Sequence, residues 1–119
     1  MKTTPDLEDV DPELLELLRA YTALDNPIRL KAYLLIRDSG EVPFHEITKA
    51  MGVESGLLAY HLGVLKAANI IDMRYERVGR EISKYRLSKR GEELYSALFP
   101  RRTKAVGRAR KTAVRLAAQ

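Results

Sequence analysis

Apolar residues recur at helical spacing near the start of the chain. Asp11-Pro12 signals a helix start, because Asp can cap free N–H groups and Pro suits the first helical position. One apolar face then follows at i, i+3, i+4 and i+7: Leu14, Leu17, Leu18 and Tyr21. The pattern predicts a first helix that reaches about Leu24.

The same start signal returns at Asn26-Pro27 and predicts a second helix, which Ser39-Gly40 ends. Its apolar positions are Ile28, Ala32, Leu35 and Ile36. A short extended link at Val42-Pro43 leads to a third helix, from Phe44 to Met51, which Gly52 ends. Three short helices therefore precede the middle of the chain.

A fourth helix is predicted over about residues 55–68, with Ser55 as its cap and Asn69 as a left-handed terminator. Its buried stripe consists of Leu58, His61, Leu62 and Leu65. This stripe leaves the opposite face to solvent or to a partner: Ser55, Gly56, Leu57, Ala59, Tyr60 and Gly63.

After Asn69 the apolar period changes from 3.6 to 2, which indicates a strand. The expected buried positions of this half-buried strand are Ile71, Met73 and Tyr75. A turn at residues 78–81 leads to a returning strand with Tyr85 and Leu87 on one face. Ser88 then caps a fifth helix, closed near Pro100, that carries Leu94, Tyr95 and Leu98.

This order predicts a mainly α fold with a small β-hairpin, in the α+β class. Two short helices joined through Gly52-Val53-Glu54 and followed at once by a hairpin are typical of the winged helix-turn-helix. Extra helices flank it on both sides. We divide the chain into an acidic, flexible segment at 1–11, a winged-helix domain with its flanking helices at 12–100, and a basic tail at 101–119.

Three segments carry a family resemblance. Residues 26–30 (NPIRL) resemble a P-x-R-L helix start, and residues 58–71 (LAYHLGVLKAANII) resemble a recognition helix with the pattern HL-x-x-L followed by x-x-A-G-L-V. Residues 79–91 (GREISKYRLSKRG) are similar to a wing that continues into Y-x-L-T-x-x-G. Over about residues 22–99 the chain thus resembles the ArsR-like and related MarR-like winged-helix transcriptional regulators. The resemblance implies a DNA-binding fold that dimerises through its flanking helices.

The sequence departs from this family at the metal site. ArsR-type metal sensors use Cys, or His with carboxylates, whereas this chain has no Cys and two histidines. We expect His61 to be a packed histidine whose ring N–H meets a backbone carbonyl, and His45 to form a solvated pair with Glu46. No Ser/His/Asp set, glycine-rich phosphate loop or His-x-x-x-His spacing is present. We therefore expect no metal, no cofactor and no enzymatic activity.

Charge is distributed unevenly over the 119 residues, whose formal net charge is +5. Residues 1–26 carry two basic and seven acidic side chains, whereas residues 101–119 carry seven basic side chains and no acidic one. Such a localised basic segment is typical of a polyanion-binding arm, although a solubilising tail is the alternative. At 100° per residue its cations form a single stripe: Arg101, Lys104, Arg108, Lys111 and Arg115. The stripe predicts an amphipathic helix with an adjoining apolar arc that contains Ala105, Ala109, Ala113 and Ala117. This helix could lie along DNA, pack its alanine-containing arc on a partner, or stay disordered until DNA is present.

These observations predict sequence-directed binding of double-stranded DNA by a cytoplasmic transcriptional regulator. The fourth helix would enter the major groove and the wing, about residues 74–86, would contact the flanking backbone, unless its charges only keep a strand edge solvated. The candidate DNA contacts are Lys49, Ser55, Gly56, Leu57, Ala59, Tyr60, Lys66, Arg77, Arg80, Lys84, Arg101, Arg102, Lys104, Arg108, Lys111 and Arg115.

A homodimer is expected, with the alternative that its leucines close the monomer's own core. The candidate dimer contacts are Leu14, Leu17, Leu18, Tyr21, Leu94 and Leu98. No apolar stretch approaches the roughly 18 residues of a membrane span, and no secretory signal or effector pattern is visible. Because the fourth helix is apolar, an architectural, nucleoid-type DNA-binding protein is the main alternative. A protein-interaction module on the same fold is a further one.

Overall fold

The computed structural model describes residues 9–78 and 80–100, with side chains for all of these except 76–82. The described residues form five helices and three strands in the order α1 (Pro12–Leu24), α2 (Pro27–Ser39), β1 (Val42–Pro43), α3 (Phe44–Met51), α4 (Ser55–Ala67), β2 (Ile71–Val78), β3 (Arg80–Leu87) and α5 (Lys89–Leu98). The fold is mainly α with a small sheet, as predicted. The basic tail at 101–119 and most of the acidic segment, residues 1–8, lie outside the described residues.

Side-chain caps begin the first two helices where the sequence predicts them. An Asp11 side-chain oxygen accepts from the N–H of Glu13 at 3.0 Å. Asn26 Oδ1 accepts from the N–H groups of Ile28 and Arg29 at 2.9 and 3.1 Å. Each cap satisfies helix N–H groups that have no intrahelical acceptor, so the two starts are fixed locally.

The cap of α4 differs from the prediction. Glu54, rather than Ser55, caps the helix, because its carboxylate reaches the N–H groups of both Gly56 and Leu57 at 2.9 Å. Ser55 is the first helical residue. Gly52 ends α3 in the left-handed conformation at φ 63°, which glycine adopts without a steric penalty. The turn between α3 and α4 is therefore built from Gly52 and Glu54.

The hairpin pairs β2 with β3, and β1 adds a third antiparallel strand in the order β1-β3-β2. The predicted extended link Val42-Pro43 is thus part of the sheet, since Val42 pairs with Tyr85. The predicted turn at 78–81 is too long, because Val78 already pairs with Arg80. Asn69 has a φ of 62°, which confirms it as a left-handed terminator after α4.

The core lies between helices α2, α3 and α4 and the start of strand β2. Its fully buried large side chains are Tyr33, Ile36, Ile47, Leu58, Leu62, Leu65, Ile70 and Ile71. Burial on β2 ends after Ile71: Met73 and Tyr75, predicted to be buried, are exposed because the strand continues beyond the helices that cover its first residue. The hairpin therefore projects from the body as a wing.

Candidate nucleic-acid interface

The predicted buried stripe of α4 is confirmed and fixes the orientation of this helix. Leu58, Leu62 and Leu65 are fully buried, and His61 retains only 6% of its surface. The helix cannot rotate without exposing this stripe. Its opposite face is consequently open to solvent: Ser55, Gly56, Leu57, Ala59, Tyr60 and Gly63.

The open face of α4 combines small residues with two large side chains. Tyr60 is 62% exposed, and its ring stands edge-on to that of His61 with the centroids 5.1 Å apart. Leu57, one turn earlier, is 42% exposed. Small neighbours allow a partner surface to approach the backbone closely, and Leu57 and Tyr60 supply an apolar contact and a hydroxyl group.

A negative charge lies at the N-terminus of α4. The two hydrogen bonds from the helix N–H groups lower the pKa of the Glu54 carboxyl group, because they favour its ionised form. Glu54 thus occupies the N–H groups of Gly56 and Leu57, which could otherwise bind a phosphate. Sequence reasoning, which assigned the cap to Ser55, did not anticipate this charge.

Candidate phosphate-binding cations lie on α4 and on two other elements of the fold. Lys49 on α3 and Lys66 in the last turn of α4 are exposed, and Lys84 on β3 is half-buried. Their role on DNA stays a prediction. Arg74 forms an ion pair with Glu41 across 3.3 Å. The side chains of Arg77 and Arg80 and the tail cations lie outside the described residues.

A hydrogen-bonded arginine supports α4 from behind. Arg29 donates through Nη1 to Nδ1 of His61 at 3.1 Å and through Nε to the carbonyl oxygen of Ala23 at 2.6 Å. The prediction of a packed His61 is confirmed, but its ring contact differs from the prediction: Nδ1 accepts from the guanidinium, which can only donate, and no described backbone carbonyl accepts from the ring. Burial and the positive charge of Arg29 lower the pKa of His61. Arg29 is the arginine of the NPIRL segment, so the resemblance of that segment to a P-x-R-L helix start was the sequence feature that could have pointed to this residue.

The candidate dimer contacts divide into a surface group and a core residue. Leu14, Leu18 and Tyr21 on α1 are exposed, as is Leu98 on α5. Leu17 is half-buried. Leu94, however, is 3% exposed and packs in the core, so it offers almost no surface to a partner. The alternative, that these leucines close the monomer's own core, holds for Leu94 and in part for Leu17, which packs against the core, and not for the exposed residues.

Comparison with known proteins agrees with this geometry. No family model matches the chain. Over 73 residues, 61% of the chain, it is 41% identical to the HTH-type transcriptional repressor SmtB of Mycobacterium tuberculosis, and it spans about half (49%) of that relative's length. The transcriptional repressor BigR of Xylella fastidiosa superposes with a TM-score of 0.60 at 27% identity, over 81% of this chain and 95% of BigR. The chain therefore has a winged helix-turn-helix fold and resembles ArsR-like transcriptional regulators.

A further solved structure supports the winged helix-turn-helix fold of this chain. The chain is similar to the homodimeric winged helix-turn-helix DNA-binding domain Mb0332 of Mycobacterium bovis. The two superpose with a TM-score of 0.63 at 24% identity, over 82% of this chain and 86% of that domain. The family resemblance predicted from the three sequence segments is therefore confirmed.

Over residues 9–78 and 80–100, no three His, Cys, Asp or Glu side chains lie close enough together to hold a metal ion. Within the same ranges, no helix has both the length and the apolar character that crossing a membrane requires.

Proposed function

We propose that this ArsR-like protein is a non-enzymatic transcriptional regulator that binds double-stranded DNA in a sequence-directed manner. The observation that carries the proposal is the fixed orientation of α4. Its buried stripe packs against the core and leaves the N-terminal open face exposed, and the hairpin that forms the wing follows this helix in the chain, as in winged helix-turn-helix DNA-binding folds. The similarity to SmtB and BigR, both transcriptional repressors, supports the same function.

In this proposal α4 enters the major groove. Gly56, Ala59 and Gly63 allow the helix to approach the base edges closely. Leu57 and Ala59 have the apolar surface that suits a thymine methyl group, and Ser55 and Tyr60 carry hydroxyl groups that suit a base or a phosphate. Specificity would come from this short set of contacts.

The surrounding cations would position the helix on the duplex. Lys49 and Lys66 would contact phosphates on either side of the groove, and the wing, with Lys84, Arg77 and Arg80, would contact the flanking backbone. The tail cations Arg101, Arg102, Lys104, Arg108, Lys111 and Arg115 would add affinity that does not depend on sequence.

We also propose that the active form is a homodimer. The exposed side chains of Leu14, Leu18 and Tyr21 form an apolar face on α1, and Mb0332, which has the same fold, is homodimeric. Two-fold pairing would place the two α4 helices about 34 Å apart, one turn of DNA, and would require an operator with two half-sites.

The experiment that tests this function is selection of duplexes from a random pool by the full chain. The affinity for the selected duplex is then compared with that for a scrambled duplex at one salt concentration. We expect a preference of about 10³-fold or more. Tyr60→Ala should reduce this preference, and Tyr60→Phe should separate the contribution of the hydroxyl group from that of the ring.

A second candidate function is architectural coating of DNA with little sequence preference. It is favoured by the composition of the open face of α4, which has no Arg, Asn or Gln to form bidentate contacts with bases. A steep salt dependence with equal affinity for selected and scrambled duplexes would support it. Failure to bind any duplex at low salt would favour a protein-interaction module instead.

A further inference from the structure

A cavity of about 300 Å³ lies behind the proposed recognition helix, between α1, the start of α2 and the C-terminal half of α4. Val64 and Ala67 of α4, with the C-cap residue Ala68, form an apolar wall. Its size is at the lower end of the range for small-molecule sites, so it suits a compact ligand.

The charged side chains that line this cavity are both positive. Arg19 and Arg29 line it, and within the described part of the chain none of the lining side chains is acidic. The Arg29 guanidinium is held in place by Ala23 and His61, which use its Nε and Nη1. Its Nη2 is engaged by no other described residue, and a fixed guanidinium with free N–H groups is well suited to a carboxylate.

The cavity does not coincide with the apolar face of α1. Arg19 lies five residues after Leu14 and therefore about 140° away from it around the helix axis, at 100° per residue. Ala23 is nine residues after Leu14 and lies about 180° away. Thr22, which also lines the cavity, lies one turn after Leu18, so a second copy that packs on Leu14 and Leu18 would border the cavity without covering Arg19 or Ala23.

We propose that this cavity binds a small organic anion, with its carboxylate on Arg19 and Arg29 and its apolar part on the wall formed by Val64, Ala67 and Ala68. The occupant is inferred from charge complementarity: two arginines without a lining carboxylate, next to an apolar surface. An apolar molecule without charge would offer no acceptor to Nη2 of Arg29 and no counter-charge to either arginine.

The probe pair for this proposal is phenylacetate and its neutral counterpart phenylacetamide, which differ little in shape. The full chain is titrated with each and followed by NMR. Phenylacetate should give saturable shifts of the amide signals of Thr22, Ala23, Val64, Ala67 and Ala68, and phenylacetamide should bind about tenfold more weakly or less. Absence of saturable shifts with phenylacetate, or equal binding of the two compounds, would overturn the proposal.

Two variants and a second anion sharpen this result. Arg19→Gln should weaken phenylacetate binding by about fivefold or more, as loss of a charge-assisted contact requires. Lys31→Gln is the matched control, because Lys31 is an exposed cation on α2 that does not line the cavity. Equal weakening in both variants, or equally tight binding of inorganic phosphate, would show nonspecific attraction of anions and contradict the proposed site.

If the proposed DNA binding holds, this ligand should also act as an effector. Arg29 lines the cavity and also donates to His61 of α4. A ligand bound to its guanidinium is therefore linked to the helix that is proposed to bind DNA. Saturating phenylacetate should change DNA affinity by about fivefold or more, and DNA should change phenylacetate affinity by the same factor. Unchanged DNA affinity with bound phenylacetate would overturn the effector role. The NMR titration needs no DNA, so it tests the site separately from the proposed function.

Discussion

Arg29 Nη1 lies 3.1 Å from Nδ1 of His61, and this single contact joins the start of α2 to the buried side of α4. The same guanidinium also holds the carbonyl oxygen of Ala23 near the end of α1. One side chain therefore connects the helix with the exposed apolar face to the helix proposed to read DNA. Because Nδ1 must accept the hydrogen bond, the contact requires a neutral imidazole.

This requirement predicts a pH dependence of stability. Burial and Arg29 lower the pKa of His61 in the folded chain, so the unfolded chain takes up the proton at higher pH. The stability due to neutral His61 is therefore complete above about pH 6.5 and is lost as the pH falls. Urea unfolding from pH 7.5 to 5 should show a decrease of at most about 1.4 kcal/mol per pH unit from this one proton.

Two histidine variants identify the source of that dependence. His61→Gln retains an acceptor for Arg29 and removes the titration, so it should flatten the profile. His45→Gln, at the exposed histidine of α3, is the control and should show the same dependence of stability on pH as the parent chain. A profile that His61→Gln does not change would show that another group titrates.

Glu54 has opposing effects on folding and on the proposed DNA binding. Glu54→Gln removes the negative charge at the N-terminus of α4 and keeps a side-chain acceptor. We expect a lower melting temperature, since a carboxylate at this position favours the helix. DNA affinity should rise by about threefold at low salt, because a charge that repels phosphates is removed.

The matched control is Glu93→Gln, which removes an equally exposed carboxylate on α5. It should alter DNA affinity much less than Glu54→Gln does. A comparable increase in the two variants would mean that only net charge matters. A decrease with Glu54→Gln would indicate that the cap itself is needed for DNA binding.

Gly91 and Gly63 predict opposite effects of the same substitution. A Cβ atom at Gly91 would overlap the carbonyl oxygen of Ile70, and the Gly91 carbonyl accepts the buried Tyr33 hydroxyl at 2.7 Å. Gly91→Ala should therefore destabilise the fold by about 2–3 kcal/mol. At Gly63 no atom lies within 4 Å of the added methyl group, so Gly63→Ala should stabilise α4 by up to about 1 kcal/mol. Chemical denaturation measures both, and equal effects would contradict the packing at Gly91.

Local signals predicted the elements well because their causes are local. Asp11 and Asn26 cap the helices that immediately follow them. Asn69 adopts a positive φ, a conformation that Asn tolerates better than most residues. The buried stripe of α4 was also predictable, since its four positions repeat at helical spacing.

The errors concern relationships across the chain. His61 and Arg29 are 32 residues apart, so helical spacing could not pair them. Val42 became a strand residue because β3 supplies its partner from the other end of the domain. The alternation of Met73 and Tyr75 resembles that of a buried strand, but only the position of the helices decides how far burial extends.

The exposed face of α1 predicts the oligomeric state. Leu18→Glu introduces a charge at a half-exposed leucine that the monomer core does not need. Sedimentation should show a monomer in place of the dimer, with DNA affinity reduced by about tenfold or more because only one half-site is engaged. Leu57→Glu, at the similarly exposed leucine of α4, should remain dimeric and lose DNA binding. Retention of the dimer by Leu18→Glu would place the interface elsewhere.

The basic tail predicts a change in the salt dependence of DNA binding. Replacement of Arg101, Lys104, Arg108, Lys111 and Arg115 by Gln removes the stripe of cations. Each lost phosphate contact should reduce the slope of log affinity against log salt by about 0.9, so the total reduction should be at most about 4.5. The preference for selected over scrambled duplexes should persist, because phosphates carry no sequence information. An unchanged slope would contradict a role of the tail on DNA, and a lost preference would indicate that the tail reads bases.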